Sequence, residues 1–297
     1  TSSLSTAACV TAIPGKYGWV PYTACNSNYN YNPSFNAAIA VSVIFGILTV
    51  THIVEAIIVK KRYAWVLIMG ALWETVAFIT GALGAHDQQN SGYATAHTLL
   101  FLLAPLWING FVYMTFSRMV YFFMPDKKIW IFRATGMSKR FVWADVATFF
   151  VQAVGATMAT ANASSSNTQT GLHIYTAGVA LQEAFILLFL CLMIIFHRRA
   201  LQLDSPFASA EDTQSFDEGF VMKRNWKGLL YALYAVLLLV SLRIFYRIAE
   251  YARGITPSNP IPFHEVYGYT LDAFPMMICL LILAIMHPGR TLVGPES

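Results

Sequence analysis

Residues Ala37–Val59 read AAIAVSVIFGILTVTHIVEAIIV, a run whose only ionisable side chains are His52 and Glu55, closed by Lys60-Lys61-Arg62. A helix needs about 20 predominantly apolar residues to cross the hydrocarbon core of a bilayer. Six further segments meet that length: Tyr63–Leu83, Ala94–Phe116, Phe141–Ala161, Ile174–Phe196, Leu229–Ala252 and Val266–Met286. Barrel strands would alternate apolar and polar residues over about ten positions, whereas these runs are apolar at nearly every position for twice that length. The fold class is an all-α membrane protein with seven transmembrane helices.

Composition agrees. Hydrophobic residues make up 57% of the chain and charged residues 11%, against about 25% charged in a soluble domain. The expected organisation is an N-terminal segment over 1–33, a seven-helix domain over 34–287 and a short tail over 288–297. The first span acts as its own insertion signal, because no apolar run begins near the N-terminus.

Lys and Arg accumulate in cytoplasmic loops. Here they fall at Lys60, Lys61 and Arg62, between Arg118 and Arg140, between Arg198 and Lys227, and at Arg290, with only Lys16 and Arg253 on the other side. The N-terminus is therefore expected outside and the C-terminus in the cytoplasm, with the plasma membrane as the expected location. Asn162-Ala163-Ser164 then lies outside as a glycosylation sequon. Cys9 and Cys25 share an oxidising space in which a disulfide can staple the N-terminal segment.

Charge at membrane depth is costly and marks a functional face or a lock between helices. Arg243, Arg247 and Glu250 follow i, i+4, i+7 spacing and share one face of the sixth span. On the seventh, Glu265, Tyr269 and Asp272 are spaced in the same way, after His264. The expected pairing sets Arg243 and Arg247 against Glu250, Glu265 and Asp272, leaving the acids in excess. Glu74, His97, Gln152, Gln182 and Glu183 add polar groups on other spans, and His52, Glu55 and Asp145 form a smaller expected inner cluster. Salt bridges that merely lock helices explain much of this, and a single Gln or His in a span is more often a hydrogen bond between helices than a ligand contact.

Enzyme chemistry finds little support. There is no His-Glu-x-x-His or His-x-x-x-His grammar for a metal, no nucleophile elbow and no phosphate-cradling glycine loop. The basic residues are accounted for by topology, so no nucleic-acid partner is expected. No catalytic residue, metal or cofactor is expected, and the oligomeric state is left open.

The run Arg243-x-x-Tyr246-Arg247-x-x-Glu250-x-x-x-Gly254, followed by His264-Glu265-x-x-x-Tyr269-x-x-Asp272-x-x-Pro275-Met276, resembles the signature of the fungal lipid-translocating exporter family, the resistance-to-aminocholesterol-like proteins. Asp145-x-x-Thr148-x-x-x-Gln152-x-x-Gly155, Gly171-x-x-Ile174-x-x-x-Gly178-x-x-x-Gln182 and Leu103-Ala104-Pro105-Leu106 with Tyr113 extend the resemblance from about Asn32 to Met286. One departure stands out. Where the family's second span carries Glu-x-x-Gly-Tyr-x-x-Arg, this chain has Glu74-x-x-Ala77-Phe78-x-x-Gly81.

The resemblance implies transport of an amphiphile, such as a sphingoid base or a toxic sterol-like compound, with membrane lipids as partners. In some members it extends to haem or porphyrin movement, for which His97 or His173 are axial candidates. Acids in excess suit the amine of a sphingoid base, while the arginines suit a phosphate or a propionate. Bound lipid or haem in the cluster is compatible with either. A seven-helix receptor signalling to a cytoplasmic partner, and a metal-dependent intramembrane hydrolase, are the alternatives.

Overall fold

The computed structural model describes residues 10–158, 165–203, 226–255 and 259–291. Cys9, the expected disulfide partner of Cys25, and Asn162 of the sequon lie outside the described residues.

Among the described residues seven helices are long and apolar enough to cross a membrane. They are α1 (Phe35–Val59), α2 (Trp65–His86), α3 (Ser91–Phe123), α4 (Ala134–Met158), α5 (Ser165–Leu203), α6 (Trp226–Tyr251) and α7 (Glu265–Ile285). A short α8 (Pro288–Thr291) follows. Each expected span lies on one of these helices, but α3, α4 and α5 run well past the apolar stretch. The continuations of α4 and α5 carry Lys139, Arg140, Arg198 and Arg199, whereas that of α3 packs Met119 and Val120 into the core.

Helices adjacent in sequence pack side by side, and α7 returns to α1 to close the ring, while α3 also reaches α6 across the middle. The core follows from that placement: Ile108, Phe111, Val112, Tyr113, Phe116 and Met119 on α3 are all completely buried. By contrast Val43, Ile47, Val50, Val54, Ile57 and Ile58 on α1 are exposed. Acyl chains are as apolar as these side chains, so in a bilayer such a face needs no protein cover.

Two prolines shape the helices that carry charge. Pro105 lies inside α3; having no N–H, it leaves the carbonyl of Phe101, four residues earlier, without its helical partner. Pro275 follows a π-helical turn, Tyr269–Ala273, in which the N–H of Phe274 reaches back five residues to the Tyr269 carbonyl. That wider turn makes room for the proline ring and presents Asp272 to the interior. Such π turns recur at functional sites.

The N-terminal segment is tied to the end of the bundle where α2 joins α3. Gln88 N–H donates to the Tyr17 carbonyl (3.0 Å), Gln89 Nε2 to the Gly18 carbonyl (2.8 Å) and Asn28 Nδ2 to the Gln88 carbonyl (2.9 Å). Gly18 sits at φ +70°, the left-handed region that favours glycine.

At the α4–α5 contact a Cβ on Gly155 would lie 2.4 Å from Tyr175 N and 2.6 Å from the Gly171 carbonyl, whereas one on Gly136 would meet nothing within 4 Å. Gly155→Ala is therefore expected to lower the thermal unfolding midpoint of the detergent-purified protein, by about 1–3 kcal/mol of overpacking. Gly136→Ala should leave it unchanged or slightly raised; a harmless Gly155→Ala would refute the close approach.

Candidate functional site

The spacing on α6 turns Arg243, Arg247 and Glu250 toward α7, and the π turn brings Asp272 to meet them. Arg243 Nε is hydrogen-bonded to Asp272 Oδ1, and Arg247 Nε lies 2.6 Å from Asp272 Oδ2 as a close ion pair. Each oxygen of one completely buried carboxylate thus faces its own guanidinium. Arg247 Nη1 also donates to Glu250 Oε2 at 3.0 Å.

The remaining reach of Arg243 is met by α3. Its Nη2 donates to the Phe101 carbonyl at 3.1 Å, the group that Pro105 leaves free in the helical ladder. Both guanidiniums also lie over the Phe101 ring, 5.5 Å and 5.3 Å from its centroid, a distance at which a desolvated cation gains from the ring quadrupole.

Glu74 on α2 is 0% exposed and neither of its carboxylate oxygens has a hydrogen-bond partner. Arg243, Asp272 and Arg247 are the charges that act on it. Asp272, Glu250 and Glu74 together therefore outnumber the two arginines by one carboxylate.

The expected inclusion of Glu265 is corrected by the geometry. It accepts the Ser34 backbone N–H on both oxygens (3.1 and 3.0 Å) and the Tyr269 hydroxyl (3.2 Å), and it meets neither arginine. At the first residue of α7 it sits about 10 Å along the axis from Asp272, and the π turn between them breaks the seven-residue register that would align their faces. Glu265 instead holds the start of α1, and with it the N-terminal segment.

Between that segment and the charged cluster lies a cavity of about 200 Å³. Asn28–Pro33 roof it, Arg247 and Glu250 contribute to its floor, and Phe78, His97, Phe101, Tyr246, Tyr251, His264 and Tyr269 line its walls. A groove bordered by Tyr22, Pro260, Phe263 and Val266 adjoins it, sharing Tyr31, His264 and Glu265 as a common wall. Burial, and then nearby Asp87, push the Tyr29 hydroxyl up to about 12. Burial, and then Glu265, raise that of Tyr31 as well. The roof tyrosines therefore carry no charge at physiological pH.

The departure on α2 also falls in this wall. His97 Nδ1 lies 2.7 Å from the Ala77 carbonyl, and a Cβ on Gly81 would come within 2.9 Å of the same nitrogen. Where a longer side chain would project from position 81, an imidazole is packed instead, parallel to Phe101 at 5.8 Å.

Other expected site residues lie apart. Gln152 donates to Gln182 at 2.9 Å, a hydrogen bond between α4 and α5. The expected inner cluster separates into two. His52 and Glu55 pair at 3.2 Å on α1, with His287 nearby, whereas Asp145 on α4 is bonded to Asn109 and Tyr113 of α3. The reason is the ring order: α1 packs on α2 and α7, and α4 on α3 and α5. His173 is exposed. Among the described residues no three His, Cys, Asp or Glu converge as a metal site.

Several lining residues escape a reading of the sequence. Tyr246 and Tyr251 flank the arginines and were within reach of it. Phe101 was signalled only through Pro105, four residues on, and Asn28–Pro33 carry no pattern that places them over a cavity.

This architecture defines a seven-helix membrane protein with a buried ionic cluster beneath a roofed cavity. The chain belongs to the RTA1 like protein family, which matches residues 67–294. It is similar to the probable lipid transporter atnI of Emericella nidulans, 42% identical over 297 residues that cover 100% of this chain and 76% of the relative. The sphingoid long-chain base transporter RSB1 of Saccharomyces cerevisiae is 25% identical over 304 residues, covering 92% of this chain and 77% of the relative. Protoporphyrin uptake protein 1 of the same yeast is 25% identical over 292 residues, covering 86% and 90%. No solved structure matches.

Asp272→Asn removes the carboxylate that two guanidiniums share. Breaking a buried pair costs about 3–5 kcal/mol, so the unfolding midpoint in detergent should fall sharply. Glu265→Gln, half-buried and held by neutral donors, should cost about 1 kcal/mol. Equal losses would show that Asp272 is not the lock.

Proposed function

We propose that this chain moves a lipid-like amphiphile across its membrane, taking a cationic head group into the roofed cavity. The observation that carries this reading is the imbalance of the buried cluster. Each arginine is already engaged with a carboxylate, while the Glu74 oxygens have no hydrogen-bond partner. An amine in the cavity would meet Glu250 in its floor and add a positive charge beside three acids that face only two arginines. An anionic head group would instead have to displace Asp272 or Glu250 from a guanidinium.

The cavity suits a head group rather than a whole lipid. Its polar floor and aromatic walls offer hydrogen bonds and cation–π contact, and the adjoining groove offers an apolar path toward Phe263 and Val266 for a chain. The names of the similar proteins, a probable lipid transporter and a sphingoid long-chain base transporter, support the same class of cargo. In this reading the protein is a transporter and not an enzyme. The N-terminal segment lies outside, as the placement of Lys and Arg supports, and the plasma membrane is the site of action.

The test is transfer of a fluorescent sphingoid base between the leaflets of proteoliposomes, followed by extraction into albumin. Wild type should move it, and Glu74→Gln and Glu250→Gln should each slow transfer roughly tenfold, the equivalent of about 1.4 kcal/mol. A fluorescent fatty acid should not be moved. Faster movement of the fatty acid would reassign the head-group site to the arginines, and movement of neither would reject the proposal.

A further inference from the structure

A second buried aspartate has surroundings opposite to those of Asp272. Asp145 is 2% exposed and lies four residues into the expected span that begins at Phe141, toward the end of the bundle that carries Lys139 and Arg140. Its Oδ2 accepts the Tyr113 hydroxyl at 3.0 Å and Asn109 Nδ2 at 3.2 Å. Both donors are neutral, both are completely buried, and they stand one turn apart on α3. Asp145 Oδ1 and Asn109 Oδ1 are buried without a hydrogen-bond partner.

The charged and titratable groups around it are few. From α3 it faces Tyr113; from α5, Glu183 acts on Tyr113. Thr148 of α4 turns its hydroxyl to the Asp145 backbone carbonyl (2.8 Å). Among the described residues no Lys, Arg or His is paired with Asp145. A carboxylate buried without a paired cation is costly, and no fixed positive charge holds it ionised. The neighbours are also suited to either state. As a carboxylate, Asp145 accepts from Asn109 Nδ2 and Tyr113; as an acid, it can donate to Asn109 once that amide turns over, because an amide presents an acceptor as well as donors.

A further acid, Glu183 of α5, acts on Tyr113. Glu183 is 4% exposed and has Ser241 of α6 as its near neighbour. Ser241 is two residues before Arg243 on α6.

We propose that Asp145 is a proton-binding site buried between α3 and α4, and that its loading and release drive movement of the amphiphile. The carboxylate takes one proton from one side of the membrane to become the acid and returns that proton to the other side; no other reactant is consumed. The binding part stands on Asp145 and its neighbours, and the coupling part rests on the transport reading above.

Two measurements test it. In bilayers, infrared titration of wild type should show a carboxylic-acid C=O band that rises and falls with pH, vanishes in Asp145→Asn, returns displaced in Asp145→Glu and persists in Glu265→Gln. An undiminished band in Asp145→Asn overturns the assignment. In proteoliposomes, an imposed pH gradient should speed wild-type transfer of the fluorescent sphingoid base at least threefold. In Asp145→Asn the ratio of the rate with the gradient to the rate without it should fall to about one; an undiminished ratio overturns the coupling. A wild type that moves the base at the same rate in every gradient, or that responds to a sodium gradient instead, overturns the coupling while the transport reading stands. A wild type that moves no base sinks that reading and the coupling with it, and the infrared band alone then decides the proton site.

Discussion

Asp272 stands completely buried between two arginines, and the helices around it are arranged to make that charge tolerable. A lone carboxylate or guanidinium at membrane depth is costly, so each must bring its partner with it. The π turn before Pro275 presents Asp272 to α6, the i, i+4 spacing presents both guanidiniums to Asp272, and Pro105 frees the Phe101 carbonyl that receives Arg243. The distant α3 is thereby held in one register with the consecutive α6 and α7. Ordinary apolar packing in a lipid environment does not select a register so strictly, because a displaced leucine meets lipid that is just as apolar.

The cavity follows from the same arrangement. The cluster draws α3, α6 and α7 together beneath the N-terminal segment, and the aromatic side chains of α2, α3 and α6 line the space left above it. Glu265, freed from the arginines by the π turn, closes that space by binding the backbone at Ser34. One residue expected to bear charge in the site thus serves to hold its cover.

Asp272 and Asp145 show how two identical side chains take different roles from their environments. The first is flanked by permanent cations, so its charge is part of the framework. The second has only a phenol and an amide, which serve the charged and the neutral acid alike. Their separation lets the framework stay constant while the other group changes its state.

Seven spans were legible in the sequence, because about 20 consecutive apolar residues have no other stable fate in water or lipid. The face shared by Arg243, Arg247 and Glu250 was legible too, since helical period alone determines it. Of the arginines' expected partners, Glu250 and Asp272 meet them and Glu265 does not. Reading Glu265 and Asp272 as one face assumed an unbroken α-helix, and one wider turn ahead of a proline undid it. Glu74 lies near the arginines as expected of the polar core, whereas Asp145 parted from His52 and Glu55, because helix order around the ring is set by contacts between faces that carry no common pattern. The amino-acid sequence by itself determined which residues must be buried and on which helix face, since hydrophobic length and period are local properties. Only the tertiary structure decided which acid meets which base, because that choice depends on distances between helices far apart in the chain and on backbone turns that leave almost no mark in composition.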